Sequence, residues 1–126
     1  MTGLYGVVTG QAPATPETVS RMGHALRTHA GEMGAIAVEA GLAIGVLDGV
    51  TPARVAEWAA PARSPDGRFT LWLAGEIFTG LGAPDPLPHD APTLAVRRRL
   101  LDRLLAAGPS GLVGVDGEYQ IALWDA

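Results

Sequence analysis

Apolar residues recur in short runs and in helical spacings along the chain, and the two patterns alternate. LYGVV, at Leu4 to Val8, is an apolar run bounded by Gly3 and the TGQAPATP loop, and it reads as a short buried strand. Thr15 then serves as N-cap with Pro16 in the first helical position. Val19, Met22 and Leu26 follow at spacings of three and four, which predicts a helix ending near His29 to Gly31. AIAVEAGLAIGVL holds two apolar runs separated by Glu39, Ala40 and Gly41, the pattern of a β-hairpin; the competing long helix is disfavoured by Gly41 and Gly45. In TPARVAEWAAPARSPDGR, Pro52, Pro61 and Pro65 break regular structure and Asp66-Gly67 signals a turn, so the stretch reads as loop with one short helical turn around Arg54 to Trp58.

The second half repeats the alternation. FTLWLAGEIF places Phe69, Leu71 and Leu73 on one face of a strand and Thr70 and Trp72 on the other, stopping at Gly75. LGAPDPLPHDAP carries four of the ten prolines and reads as an exposed connector. A second helix is expected from about Ala91 to Ala107, with Asp90 as N-cap. Its apolar positions are Val96, Leu100, Leu101, Leu104 and Leu105, and Gly108-Pro109 is its stop. Asp116-Gly117 reads as a turn into a final strand, EYQIALWDA, in which Tyr119, Ile121 and Leu123 alternate with Gln120, Ala122 and Trp124. Strand, helix, hairpin, strand, helix, strand is an α+β arrangement with helices covering mostly antiparallel sheet. An apolar strand at the end of the chain asks for a neighbour on both sides, so a segment beyond Ala126 or another chain is expected to complete the sheet.

Composition narrows the chemistry. At 126 residues the chain is expected to form one domain, and 48% hydrophobic with 17% charged residues fits a globular protein. The richest apolar stretch is interrupted by Glu39 and Asp48, so no membrane span is read, and no basic flank leads into an apolar segment at the N-terminus. The expected location is cytoplasmic. The absence of cysteine excludes disulfides, thiolate metal sites and a cysteine nucleophile, and His24, His29 and His89 lack a zinc-type spacing. A net charge of −4 without a single lysine argues against a nucleic-acid partner. Arg97, Arg98 and Arg99 point around a helix and read as a solvated or partner-facing surface.

Thr2 is the first candidate for chemistry. Removal of Met1 would leave its hydroxyl beside a free α-amine, whose ordinary pKa is about 8, and such a pair is a nucleophile with its own base. The plain alternative is an ordinary first residue.

Three ordered segments carry a resemblance. MTGLYGVV resembles a start of Met-Cys-Gly-Ile running into an apolar strand; PDGRFTLWLAGEIF resembles Asp-Gly-Arg, an apolar strand and Asn-Gly-Glu-Ile-Tyr-Asn; GVDGEYQIALWD is similar to Leu-x-Gly-x-Phe-Ala-Phe-Ala-Leu-Trp-Asp. These belong to the glutaminase domain of asparagine synthetases, the class II glutamine amidotransferases of the N-terminal-nucleophile hydrolase fold. MGHALRTHAG sits where that family has a helix ending in His-Arg-Gly-Pro-Asp, and Pro61 where it has Gln-Pro. The resemblance covers nearly the whole chain. It implies a partial or contracted αββα sandwich formed by a single glutaminase-like domain, 1–126, shortened at its C-terminal end.

The departures fall on the family's catalytic positions. There the N-terminal cysteine attacks the glutamine amide, its α-amine moves the proton, and the Asn with a glycine amide stabilises the oxyanion. The matched positions here are Thr2, Ala74 and Gly75. Alanine donates no hydrogen bond, and losing one such donor costs about 3–4 kcal/mol of barrier, at least about a hundredfold in rate. The arginine that clamps the substrate carboxylate falls on Ala30, or on His29 after a one-residue shift, and is absent either way. The family's Ser-Asp-Thr-Glu segment survives only as Asp90. Thr2, Gly75 and Asp90 are therefore read as a vestigial nucleophile position and a vestigial substrate pocket. Glu76 is either a general acid or a structural residue, the second being favoured. Trp72 and Trp124 either stack on a ligand or pack against a helix or partner, again with the second favoured, and His29 reads as a helix-end residue in preference to a catalytic base.

The resemblance implies three functional readings. The first is a catalytically degenerate domain serving as scaffold or substrate-contacting part of an ATP-dependent amide-forming synthetase, as the leading domains of β-lactam synthetases and lasso peptide cyclases do. Its partner would be a synthetase domain or chain, with a peptide substrate in the second case. ATP and magnesium would belong to that partner, since the chain has no Ser-Gly-Gly-x-Asp-Ser loop and is expected to hold no cofactor itself. The second is an active N-terminal threonine amidohydrolase acting on glutamine or a small amide. The third is a free-standing peptide or metabolite binding module.

Overall fold

The computed structural model describes residues 3–10, 15–27, 33–39, 41–48, 60–82 and 93–126. The chain divides into two compact units, Met1–Ala59 and Ala60–Ala126. Among the described residues all strand pairing is antiparallel, and each unit shows one three-stranded sheet and one α-helix, as an α+β chain should.

In the first unit, β1 (Gly3–Val8) and β2 (Met33–Glu39) flank the central β3 (Leu42–Asp48). Leu42 to Leu47 is apolar without interruption and buried along its length, as a central strand requires. The expected hairpin is present: Glu39 pairs with Leu42 across the connection, and Gly41 there has φ +77°, a conformation costly for any residue with a Cβ. Helix α1 (Pro16–Leu26) packs Val19 against Ala43, Tyr5 and Val7. Two expectations need correction. As an edge strand, β1 is half-buried, with Val8 64% exposed. The helix ends at Leu26, which is itself exposed, because Arg27 already has extended backbone.

In the second unit, β5 (Phe69–Thr79) lies between the two-residue β4 (Ala62–Arg63) and β6 (Asp116–Asp125). Helix α2 (Thr93–Ala107) ends where Gly108 takes φ +61°, and a 3₁₀ turn over Gly108–Leu112 leads toward β6. Leu100, Leu101 and Leu104 of α2 pack with Leu71, Leu73 and Ile77 of β5, and each fully buried leucine contributes about 1.5–3 kcal/mol. Three sites depart from the pattern. Leu105 is exposed on the flank of the helix, and Leu123 is 43% exposed near the end of β6. Arg97, expected on the surface, is 1% exposed, and its guanidinium donates to the Leu73 carbonyl at 3.4 Å.

The expected turn at Asp66-Gly67 is there. Gly67 N–H donates to the Ser64 carbonyl at 2.9 Å, Gly67 has φ +73°, and Asp66 Oδ1 accepts from the Ser64 hydroxyl at 2.5 Å and the Arg68 N–H at 3.1 Å. Asp116-Gly117, by contrast, is not a turn: both residues already pair with β5, opposite Thr79 and Ile77. The chain turns earlier, at Val113-Gly114, where Gly114 has φ +77°. The segment around Arg54 to Trp58 and the proline-rich connector at 83–90 lie outside the described residues.

Candidate functional site

Of the three vestigial-site residues, Thr2 and Asp90 lie outside the described residues, as do His29 and Ala30. The geometry available is that of β5 around Gly75. The strand does not stop there, contrary to expectation. Gly75 pairs with Tyr119, Glu76 with Glu118 and Ile77 with Gly117 before the register slips between Ile77 and Thr79.

Glycine is what permits this continuity. Gly75 has φ +98°, and a Cβ on it would collide with the Glu118 carbonyl oxygen and stand 2.9 Å from the Tyr119 Cα. Across the pair, a Cβ on Gly117 would likewise collide with the Glu76 carbonyl oxygen. Two glycines thus let β5 and β6 approach where the strand is twisted out of regular geometry.

Ala74 precedes this kink and is 1% exposed. It alternates with Thr70 and Trp72 on the face of β5 opposite Leu71 and Leu73. Its methyl group neither donates nor accepts a hydrogen bond, and the side chain after it is only a hydrogen. Glu76 is exposed and stands opposite Glu118, also exposed. That placement suits a surface carboxylate better than an acid aimed into a pocket.

The tryptophans divide. Trp72 is fully buried and Trp124 half-buried, and the two lie diagonally on one sheet face, since Trp72 pairs with Ala122 and Thr70 with Trp124. Neither indole Nε1 meets an acceptor among the described residues.

Titration behaviour is perturbed elsewhere. Burial raises the Tyr5 phenol above its ordinary value, partly offset by the Arg27 charge. The Ser64 hydroxyl and then the Arg68 N–H lower Asp66, and the Arg68 guanidinium lowers Asp125. None of these groups adjoins Ala74 or Gly75 in the chain. Among the described residues, no three His, Asp or Glu side chains converge to hold a metal ion, and no helix is long and apolar enough to cross a membrane.

Two structural arrangements escaped the hydrophobic pattern. Tyr5 fills a slot walled by Gly23 of α1 and Gly45 of β3, and a Cβ on either glycine would collide with its ring or hydroxyl. Arg103 donates to three backbone carbonyls, those of Gly80 at 2.5 Å, Gly111 at 3.0 Å and Val113 at 3.3 Å. Glycines in the middle of a helix and of a central strand were the legible sign of the first. The second had no sign, because an arginine at an exposed-looking helix position is ordinary.

The chain matches no protein-family model, and no curated protein matches it.

Proposed function

We propose that the chain is a glutaminase-like domain without the family's chemistry, acting as scaffold or substrate-contacting part of an ATP-dependent amide-forming synthetase of the asparagine synthetase type, such as a lasso peptide cyclase. The finer fold reading, a partial αββα sandwich of the N-terminal-nucleophile hydrolase type, is part of the proposal. One observation carries it. At the position where the resemblance puts an amide donor, Ala74 presents a buried methyl group on a strand whose next residue, Gly75, holds the kinked backbone. A tetrahedral oxyanion needs donors aimed at it, and an alanine supplies none. With the carboxylate-clamping arginine also missing from the sequence, nucleophile, donor and clamp no longer form the unit that catalysis requires. ATP and magnesium belong, in this reading, to the synthetase domain or chain.

Two measurements test it. Ammonia release from glutamine by the purified chain is expected to equal that of the Thr2→Ala variant, both at the buffer level. Release at an enzymatic rate that vanishes in Thr2→Ala overturns the proposal in favour of the threonine amidohydrolase. Tagged chain recovered from its native cells is expected to bring with it an ATP-dependent amide-forming synthetase; a stable monomer that retrieves none supports the free-standing module instead.

A further inference from the structure

An aspartate followed by glycine carries a chemistry of its own. Glycine has no side chain to shield its nitrogen, so that nitrogen can reach the preceding carboxyl carbon. The chain has Asp48-Gly49, Asp66-Gly67 and Asp116-Gly117, and Gly49 lies outside the described residues. The two described pairs sit very differently. Asp116 and Gly117 belong to the long β5–β6 ladder, with Gly117 packed tightly against the Glu76 carbonyl, so freeing them requires two strands to part. Asp66 and Gly67 lie at the exposed tip of the hairpin joining β4 to β5, and β4 is two residues long. A surface tip with so little ladder behind it opens without the rest of the fold.

While the turn is closed, both reacting groups are occupied. Gly67 N–H donates to the Ser64 carbonyl at 2.9 Å, and Asp66 Oδ1 accepts from the Ser64 hydroxyl and the Arg68 N–H. An amide must lose its proton before its nitrogen can attack, and one held on a carbonyl loses it slowly. The same two donors favour the ionised Asp66 carboxylate, whereas the carboxyl must be protonated for one of its oxygens to leave as water.

We propose that, of the two described pairs, Asp66-Gly67 is the one that forms isoaspartate, and that the Ser64–Arg68 turn gates the reaction. In the opened turn the Gly67 nitrogen gives its proton to solvent and bonds to the Asp66 Cγ. The Cγ–OH bond breaks and releases water, which leaves a five-membered succinimide. Water then adds to the Asp66 main-chain carbonyl carbon, whose bond to the Gly67 nitrogen breaks, and the backbone now runs through Cγ. One water leaves and one returns, so the mass is unchanged and no further reactant is required. The product has an extra methylene in its main chain, and the oxygen that served as Oδ1 acceptor becomes a backbone carbonyl or a displaced carboxylate. The turn cannot close again as before. An opening that was reversible thereby becomes permanent, and the grip on the β4 end of the sheet is lost. The inference does not rest on the glutaminase-like reading.

The test is peptide mapping of the full chain aged at one pH and temperature. Cleavage after arginine separates residues 64–68 from 104–126, so each described Asp-Gly pair is read on its own peptide, as a shift in retention at constant mass. In the folded chain isoaspartate is expected at 66 before 116. In guanidinium chloride it is expected to form at 66 at least about tenfold faster than in the folded chain, because the gate is gone. Folded Ser64→Ala, which lacks the hydroxyl that holds Asp66, is expected to react severalfold faster than the unsubstituted chain. Aged chains carrying isoaspartate at 66 are expected to exchange the Ser64 and Gly67 amides faster than fresh ones. Equal rates at 66 with and without denaturant, earlier reaction at 116, or a folded Ser64→Ala no faster than the unsubstituted chain overturns the proposal. If Ser64→Ala fails to fold by circular dichroism, the comparison of the unsubstituted chain with and without denaturant decides alone.

Discussion

Tyr5 and Gly45 stand opposite each other in β1 and β3, and the Tyr5 ring covers the Gly45 α-carbon so closely that a methyl group there would overlap ring atoms. From the helix side Gly23 closes the same slot. Gly45→Ala and Gly23→Ala are each expected to displace the ring and cost about 1–3 kcal/mol, as overpacking does. Urea denaturation of the two variants against the unsubstituted chain checks this.

The same phenol gives the protein an alkaline limit. Burial raises the Tyr5 pKa above its ordinary 10.0. The folded state therefore keeps a proton that the unfolded chain loses, and stability falls as pH rises through 10 toward the raised value. Denaturation midpoints measured across that window should decline less steeply in Tyr5→Phe than in the unsubstituted chain.

At the other end of the scale, Arg68 holds Asp125 through two hydrogen bonds, 2.5 Å and 2.8 Å, and the Ser64 hydroxyl holds Asp66. Both carboxyls titrate below their ordinary 3.8. Their contribution is complete above about pH 4 and disappears as pH falls through the depressed values, because there the unfolded chain binds more protons. Asp125→Asn and Asp66→Asn should each flatten the acid limb of a stability-against-pH curve. Asp66→Ala should in addition loosen the 64–68 turn, visible as faster exchange of the Arg68 amide.

Arg103 ties the residues leaving β5 to those approaching β6. Arg103→Met is expected to cost about 2 kcal/mol, since three carbonyls lose a charged donor, and to speed amide exchange from 111 to 115. Arg103→Lys should recover little of this. One ammonium cannot reproduce the spread of a guanidinium across three acceptors.

Ala74→Asn tests the vestigial site from the opposite direction. It restores the residue type of the resembling family but places an amide where the methyl is now buried, at an expected cost of about 1–3 kcal/mol. With no carboxylate clamp in the sequence, ammonia release from glutamine should stay at the buffer level, and thermal unfolding should show the loss.

The elements were legible where one force dominated. Val19, Leu71, Leu73, Leu100, Leu101 and Leu104 are buried as their spacing demands, and Gly41, Gly67 and Gly108 sit at the turns and helix stop that they signal. Gly75 misled because a glycine at the end of an apolar run reads as a stop, whereas here it lets the strand continue past a close backbone approach. Gly117 misled because Asp-Gly is a turn signal, whereas here both residues already belong to the ladder with β5. Arg97 misled because all three arginines were assigned to the surface although they point around the helix, and the direction of the first toward β5 depends on how the helix packs, which the run of arginines does not contain. Of the candidate site, the sequence could indicate a missing donor at Ala74; the positive φ that makes Gly75 unsubstitutable depends on the partner strand, which no local pattern contains.

The placement of β6 bears on how the chain emerges during synthesis. The three strands described in the first unit have all emerged once Asp48 has left the ribosome, so their sheet can close early. The second unit cannot: β5 emerges with only the two-residue β4 beside it, and its long partner follows only after α2. For that interval Leu71 and Leu73 lack their cross-strand neighbours, so the apolar core of the nascent second unit closes later than that of the first.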